Sequence, residues 1–544
     1  MAPVLSQYGR LTQQLIFSVS IICLGSLQFG YHMAELNSPE LVLSCKQSNP
    51  GPVPYDESFF GIRGYRQCIP MTPDQIGLVT SIFSIGGLIG SFYVGFLADK
   101  YGRKLASYLH CVLYILGSLL NGLSNTYLSL LVGRFICGLG AGMALVITSI
   151  YINEVAPSNA KGLLGSMNQV SINVGILFTQ LLSLKWSNDN DWRWLLITAA
   201  VIAGINVVVL FAYVHESPLW LVSQGREGNA FTVLHKLRGG SYSDVTQEVN
   251  SWKVGVNNNG EESNSVFDDG DLESNNRANT ISGNDNEQNI NGNDDNGNNK
   301  NNNNNNLDET DANGTAATND AEHVFAQHRS KNTTVTLKEY ITLPEFRNSR
   351  IASTGILILQ QFDGINSIIF YGVSVLVAIF PNHSIVINCL ISLVNVVVTF
   401  GSAQLVDRLG RVPLLLISVS FLGLATILMG FGIIWTNEYL SIIGTFTYIT
   451  FFAIGLGPIP FLLVGEVTQP QAKASAQSFG TSLNWIATFI VGYSFPVLLH
   501  AIGGYVYFIF TLMCWFSIWF IKNYVPETKG KHTYSKVWGI EHTS

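Results

Sequence analysis

Apolar positions along this chain come in long runs separated by polar connections. Twelve runs reach the roughly 20 residues needed to cross the hydrocarbon core of a bilayer. Six precede a polar block, near residues 13–33, 75–98, 105–123, 127–150, 162–184 and 193–214. Six follow it, near residues 350–380, 384–406, 412–434, 439–465, 474–499 and 502–523. In lipid every backbone N–H and C=O must be paired within the segment, so only helices suit runs of this length. Several runs are rich in small residues, as in Ile85-Gly86-Gly87-Leu88-Ile89-Gly90-Ser91. Such residues let helix backbones approach closely where no hydrophobic effect drives them together. The expectation is an all-α membrane protein with twelve transmembrane helices.

Composition sharpens this picture once one segment is set aside. Only 12% of the 544 residues are charged, against about 25% in soluble domains. Residues 257–322 hold 23 Asn, 15 acidic and 2 basic residues, a net charge of −13. Without them the chain carries +6 in place of −7. The acidity therefore belongs to an insert, and the body is apolar and slightly basic. That argues against a multidomain soluble enzyme, a disulfide scaffold and a nucleic-acid binder. The insert has almost no apolar content and an unbroken Asn run at 301–306, so it is expected to be disordered. The functional reading of this block is a regulatory tract; the plainer one is a repeat expansion in a surface loop, which costs little entropy.

The seven cysteines form no CxxC and no Cys/His cluster, so no metal or cofactor is expected. Five lie in apolar runs. Cys45 and Cys68 share one polar loop and are expected to form a disulfide if that loop faces an oxidising compartment. No cleavable signal peptide is evident, and the first apolar run reads as the first span.

Basic residues near span ends set the orientation. Lys100, Arg103 and Lys104 follow the second span, Arg408 and Arg411 the eighth, and Lys522, Lys529 and Lys531 the twelfth. Both termini and the central loop are therefore expected in the cytoplasm. The chain divides into a six-helix half (1–214), a central loop (215–348), a second half (349–525) and a short tail (526–544). Short cytoplasmic helices are expected in the central loop on either side of the insert.

The halves repeat. Asp99-Lys100-Tyr101-Gly102-Arg103 matches Asp407-Arg408-Leu409-Gly410-Arg411, Glu154 is echoed by Glu466, and Glu216 by Glu527, at offsets of 308, 312 and 311. Two six-helix halves of parallel orientation are thus related by an axis along the membrane normal, an architecture that binds substrate at the midplane and works by rocking. Asp99, Arg103, Arg134, Glu154, Glu216, Asp407, Arg411, Glu466 and Glu527 read as charges at cytoplasmic span ends. Partly desolvated Arg–carboxylate pairs there would form a gate if they join the two halves. The plainer reading is a set of topology anchors.

Further motifs carry a family resemblance. They are Gly133-Arg134-Phe135, Tyr151-Ile152-Asn153-Glu154-Val155-Ala156-Pro157, Glu216-Ser217-Pro218-Leu219-Trp220-Leu221, Gln360-Gln361-Phe362-Asp363-Gly364-Ile365-Asn366, Gly457-Pro458-Ile459-Pro460 and Pro526-Glu527-Thr528-Lys529-Gly530. In combination the chain resembles the sugar porter family of the major facilitator superfamily over nearly its whole length outside the insert. The first span is similar to glucose facilitators, and the Asn-rich block has a yeast-like composition. The resemblance implies a transporter of a monosaccharide of the hexose class, with sugar contacts at Gln169, Gln360, Gln361, Asn366, Asn395, Phe461, Asn484 and Trp485. Neutral amides agree with this, because they offer donors and acceptors to an uncharged polyol. Singly, each is equally well explained by interhelical hydrogen bonding.

Three positions depart from the family pattern. Asp363 stands where Ser or Thr is usual, Phe461 where Trp is usual, and Ala453 where facilitators carry an acid. Proton-coupled members have Asp in the first span where His32 stands, so facilitated diffusion leads. His32 and Asp363 remain candidate proton sites, because intramembrane titratable groups often serve relays. Rival readings are a non-transporting sugar sensor and a membrane-trafficking factor. Catalysis has no support in the motifs. The expected partners are the sugar, the bilayer and, in the coupled reading, protons; a monomer is expected to suffice, in a vacuolar or plasma membrane.

Overall fold

A computed structural model describes residues 12–239 and 335–539, except 158–159, 378 and 532–533, and parts of 242–250. The Asn-rich block lies outside the described residues. Each of the twelve apolar runs is helical. The first half holds α1 (Gln13–Ala34), α2 (Pro73–Tyr101), α3 (Arg103–Gly122), α4 (Tyr127–Val155), α5 (Lys161–Trp186) and α6 (Trp192–Tyr213). The second holds α7 (Arg347–Phe362), α8 (Ser384–Leu409), α9 (Arg411–Ile434), α10 (Glu438–Phe451), α11 (Lys473–Ile502) and α12 (Val506–Tyr524). Short helices Pro218–Ser223, Glu227–Arg238 and Leu337–Thr342 flank the central block.

The helix starts are written in the sequence. Thr12 accepts from the Leu15 N–H at 3.1 Å, and Thr126 and Asn437 cap α4 and α10 in the same way. Thr72 and Gln75 form a reciprocal capping box around Pro73, the residue best suited to a first helical turn. Two helices of the second half are interrupted. α7 stops at Phe362, because Gly364 takes a left-handed conformation (φ 105°), and short helices Ile365–Ile369 and Gly372–Val377 continue the path. α10 passes through a π turn, Phe452–Leu456, before helix Ile459–Val467.

One end of the bundle carries the start of α1 and the end of α12; the other carries the connection 36–72. At that second end Cys45 and Cys68 are disulfide-bonded with a Cα separation of 5.4 Å, as the shared loop predicts. The loop is also tied down by Arg193, whose guanidinium donates to the carbonyls of Gly122, Ser124 and Arg66 at 3.0, 2.5 and 2.7 Å. Cys68→Ser is expected to cost about 3 kcal/mol by loss of loop closure in the unfolded chain. Thermal unfolding of the detergent-purified variant checks this. An unchanged midpoint would mean that the hydrogen bonds of Arg193, Trp192 and Asp189 hold the loop without the disulfide.

The halves meet along two seams, α2 against α11 and α5 against α8. Hydrogen bonds between them gather at the disulfide end and the middle. Asn37 donates to the carbonyls of Ile368 and Ile369 at 3.3 and 2.8 Å and accepts from the Val373 N–H at 2.8 Å. Ser374 donates to Glu40 at 2.6 Å. The halves are therefore drawn together at the disulfide end.

Candidate functional site

The interruptions in α7 and α10 create the first cluster. Pro460 has no N–H to give to the carbonyl of Leu456, four residues earlier. The side chain of Gln360 supplies the donor instead, at 2.8 Å, and also reaches the Gly457 carbonyl at 3.1 Å. Asn484 from α11 donates to the Gln360 oxygen at 3.0 Å and to the Leu357 carbonyl at 2.7 Å. Gln361 donates to Gln360 at 3.2 Å, and Asn366 to Gln361 at 2.7 Å. Four of the expected sugar-contact amides thus form one buried network, and the Asn366 oxygen is left without a protein partner.

A second group spans the seam between α5 and α8. Gln169 donates to Asn173 at 3.5 Å, and Asn173 donates to Thr399 at 2.9 Å and to Asn395 at 3.5 Å. Asn173 and Thr399 are additions to the sequence reading. Each lies one helical turn beyond a residue already singled out, a spacing that puts both on one face. Trp485 crosses the other seam, donating to Ser91 at 3.1 Å. Its ring lies so close to α2 that a Cβ at Gly87 would sit 2.7 Å from it. Phe29 and Phe83 of the first half complete the aromatic wall around it.

The third cluster is ionic and fully buried. His32 Nδ1 lies 2.9 Å from Glu35, and Arg134 donates to the other Glu35 oxygen at 2.7 Å and to the His32 carbonyl at 2.8 Å. Tyr114 stacks on His32, and the Arg134 guanidinium lies over Phe83. Cys137 brings a third metal-type ligand within 4.8 Å of His32 and Glu35. The guanidinium already supplies the cation that a metal ion would provide there.

A family model described as "Sugar (and other) transporter" matches residues 18–280 and 298–538. The chain belongs to this family. The transporter is 42% identical to a probable metabolite transport protein of Saccharomyces cerevisiae over 97% of this chain and 96% of the relative. It is 36% identical to the vacuolar protein sorting-associated protein 73 of the same yeast, over 96% and 95%. It is 28% identical to facilitated glucose transporter member 1 of Gallus gallus, over 96% and 92%. Among solved structures, the xylose transporter XylE of E. coli superposes with a TM-score of 0.67 at 19% identity, over 96% of this chain and all of that one. The transporter therefore has the major facilitator fold.

Several expected site residues of the transporter sit elsewhere than the sequence suggested. Arg134 is not at the end bearing the termini. It lies two turns into α4, a helix that starts at the disulfide end, and it is sealed against Glu35. Asp363 is not turned to the amides: its carboxylate accepts from Ser517 of α12 at 2.9 Å, while its backbone carbonyl accepts from Tyr448. Phe461 packs against the apolar cluster of Tyr340, Phe346, Leu357 and Ala476. Ala453 lies within the π turn.

The repeated charges make matching contacts in both halves, and each pair closes within its own half. Arg103 pairs with Glu154 at 2.7 Å, and Arg411 with Glu466 at 2.8 Å. Glu216 accepts from the N–H groups of Arg103 and Lys104 at the start of α3; Glu527 accepts from those of Arg411 and Val412 at the start of α9. A carboxylate at a helix N-terminus satisfies orphan donors and meets the positive end of the dipole. Gly102 and Gly410 turn the chain at φ 98° and 97°, and a Cβ at Gly102 would lie 2.4 Å from a Glu216 oxygen. Asp99 adds a 3.1 Å pair to Arg103 but is exposed, so it contributes little. The side chain of Asp407 lies outside the described residues.

Burial pushes the Glu527 carboxyl up, but N–H donors of Lys529, Arg411, Val412 and Thr528 outweigh it and hold the group below its ordinary value. A lowered folded-state value means that this contact stabilises the fold above the unfolded carboxylate value and is lost as pH falls through the folded one. The thermal-midpoint gap between wild type and Glu527→Gln is therefore expected to be widest near neutral pH and to shrink on acidification. A gap that widens in acid would contradict the capping role.

Proposed function

We propose that the transporter carries a monosaccharide of the hexose class across a membrane by alternating access. The observation that carries this reading is the set of neutral amides, Gln360, Gln361, Asn366, Asn395 and Asn484, all buried, with half-buried Gln169, in two half-bundles drawn together at one end. Uncharged polyols need many donors and acceptors and no counter-charge, which this set supplies. The relatives' names, a metabolite transport protein and a facilitated glucose transporter, point the same way. The end bearing the termini is assigned to the cytoplasm by its basic residues. The pairs Arg103–Glu154 and Arg411–Glu466 then brace each half, so that the halves rock as units instead of deforming. The relative named for vacuolar sorting favours a vacuolar membrane over the plasma membrane.

Facilitated diffusion is the leading mechanism. One observation favours proton coupling as a second reading: His32, Glu35 and Arg134 form a fully buried, charge-paired group inside the first half. Intramembrane ionisable groups of this sort mark ion pathways. In this group the acid is Glu35, whereas Asp363 is held by Ser517. A sensor or trafficking role would leave sugar flux at zero. A panel of labelled hexoses and pentoses, offered to proteoliposomes at equal and at unequal pH across the membrane, tests all three. Equilibration without accumulation supports facilitated diffusion, and accumulation only with a pH gradient supports coupling. No uptake of any sugar by correctly folded protein would reject transport of this class.

A further inference from the structure

A small, mainly apolar pocket with a few amide and hydroxyl groups in its wall lies beyond Asn395, toward the disulfide end. It is lined by Asn37, Gln180, Asn388, Ser392, Asn395 and five isoleucines, among them Ile176 and Ile391. Its free space is about 10 Å³, the room one hydroxyl group or water oxygen takes. Asn388, Ser392 and Asn395 stand at i, i+4 and i+7 on α8, one face of one helix. Gln180 comes from α5, across the seam. All five polar side chains are at least nine-tenths buried.

Two of them hold donors with no protein partner: Asn388 Nδ2 and Gln180 Nε2. The remaining hydrogen bonds of Gln180 fix its position. Its side-chain oxygen accepts from Ser38 at 2.7 Å, and its backbone carbonyl from the Cys389 thiol at 3.1 Å. The Asn388 oxygen is lodged against Gly372, where a Cβ would lie 2.6 Å from it. Both residues thus line the pocket, are held in place, and keep a buried amide nitrogen without a protein partner. Buried donors are nearly always paired, so such a pair calls for an acceptor from elsewhere.

We propose that Asn388, Ser392 and Gln180 bind one exocyclic hydroxyl of the transported sugar and select among sugars by it. This rests on the hexose reading above. Asn395, an expected sugar contact, lines the pocket itself, so a sugar held at Asn395 extends one substituent into it. It also draws walls from both halves: Asn37, Ile176 and Gln180 from the first, the α8 residues from the second. A hydroxyl lodged there touches both halves only when the disulfide end is shut. Its binding energy is therefore spent in the closed arrangement, where it favours closure around sugars that carry the group.

The test is competition against labelled D-glucose in proteoliposomes by each monodeoxy-D-glucose, for wild type, Asn388→Leu and Ser392→Ala. For wild type, one deoxy position is expected to compete about tenfold worse than D-glucose itself, the loss of roughly one well-placed buried hydrogen bond. In Asn388→Leu the penalty at that position should fall to about twofold, with the penalties at other positions kept. Ser392→Ala, which removes only a hydroxyl, should give a smaller change at the same position. Thermal midpoints of both variants report folding, and Ser392→Ala carries the test if Asn388→Leu does not fold. Unchanged penalties in a folded variant would overturn the proposal and leave the pocket as a site for water alone. If wild type carries D-glucose but no single hydroxyl matters, this inference fails while the hexose reading stands. If wild type carries none of the sugars, both fail.

Discussion

Arg134→Ala is expected to destabilise the folded transporter by about 3–5 kcal/mol, the range for breaking a buried ion pair from one side. The side chains of Arg134 and Glu35 are both fully buried, at 0% exposure. Removing the guanidinium leaves a carboxylate in a low-dielectric site with only His32 for company, and strips the His32 carbonyl of its donor. The site cannot relax by drawing in bulk water, because Tyr114 and Phe83 pack against it. The expected readout is a sharp fall in the thermal midpoint of purified protein, with loss of uptake. A paired replacement separates charge from packing. Arg134→Leu with Glu35→Leu removes both charges and keeps much of the volume, so stability should recover well above that of Arg134→Ala while transport does not. Failure of the pair to recover would assign the cost to packing instead of charge. The single change Glu35→Gln tests the coupled mechanism: if Glu35 carries the proton, uptake in this variant ceases to respond to a pH gradient.

Gln360→Ala is expected to have the largest effect at the amide network. It deletes the donor to Leu456 and Gly457 and the acceptor for Gln361 and Asn484. A hydrogen bond lost in this way costs about 0.5–1.5 kcal/mol, and more where a buried partner is left unpaired. The Leu456 carbonyl is such a partner, because Pro460 cannot replace the missing N–H. Sugar affinity should fall by more than tenfold, and the π turn should loosen. Gln361→Ala keeps the Leu456 contact and is expected to weaken affinity less, with little loss of thermal stability. Equal behaviour of the two variants would contradict the role given to Gln360 as the hub between α7, α10 and α11.

The fold was legible because bilayer thickness fixes helix length, and because the repeated Arg and Glu positions recur at nearly constant offset. The amide set was legible for a related reason: Asn and Gln are costly in lipid and must face partners or a cavity. What escaped the sequence reading depended on direction along a helix. Glu35 falls just past the apolar run, so it reads as a loop residue. It stands three positions after His32, a spacing that could have exposed the pair. Arg134 resembled the other arginines at span ends, yet the alternation of spans across the membrane starts α4 at the disulfide end, and counting seven residues from Tyr127 places it there. Asp363 neighbours the amides in sequence, which does not fix where its side chain points. Asp363 closes the last turn of α7, and its carboxylate accepts from Ser517 of α12. The within-half closure of Arg103–Glu154 and Arg411–Glu466 was not legible, since sequence identifies complementary charges but not which half supplies the partner.

Tracer counterflow puts the account to its most direct test. Proteoliposomes holding the purified transporter and a high concentration of unlabelled D-glucose are diluted into medium with a trace of labelled D-glucose. A carrier whose single sugar site is exposed alternately to each side exchanges inner for outer sugar. The account therefore predicts a transient rise of internal label above its equilibrium level, absent from protein-free liposomes and strongly reduced in Gln360→Ala. A flat trace from folded wild-type protein, with D-glucose and with each other monosaccharide tried in its place, would contradict it.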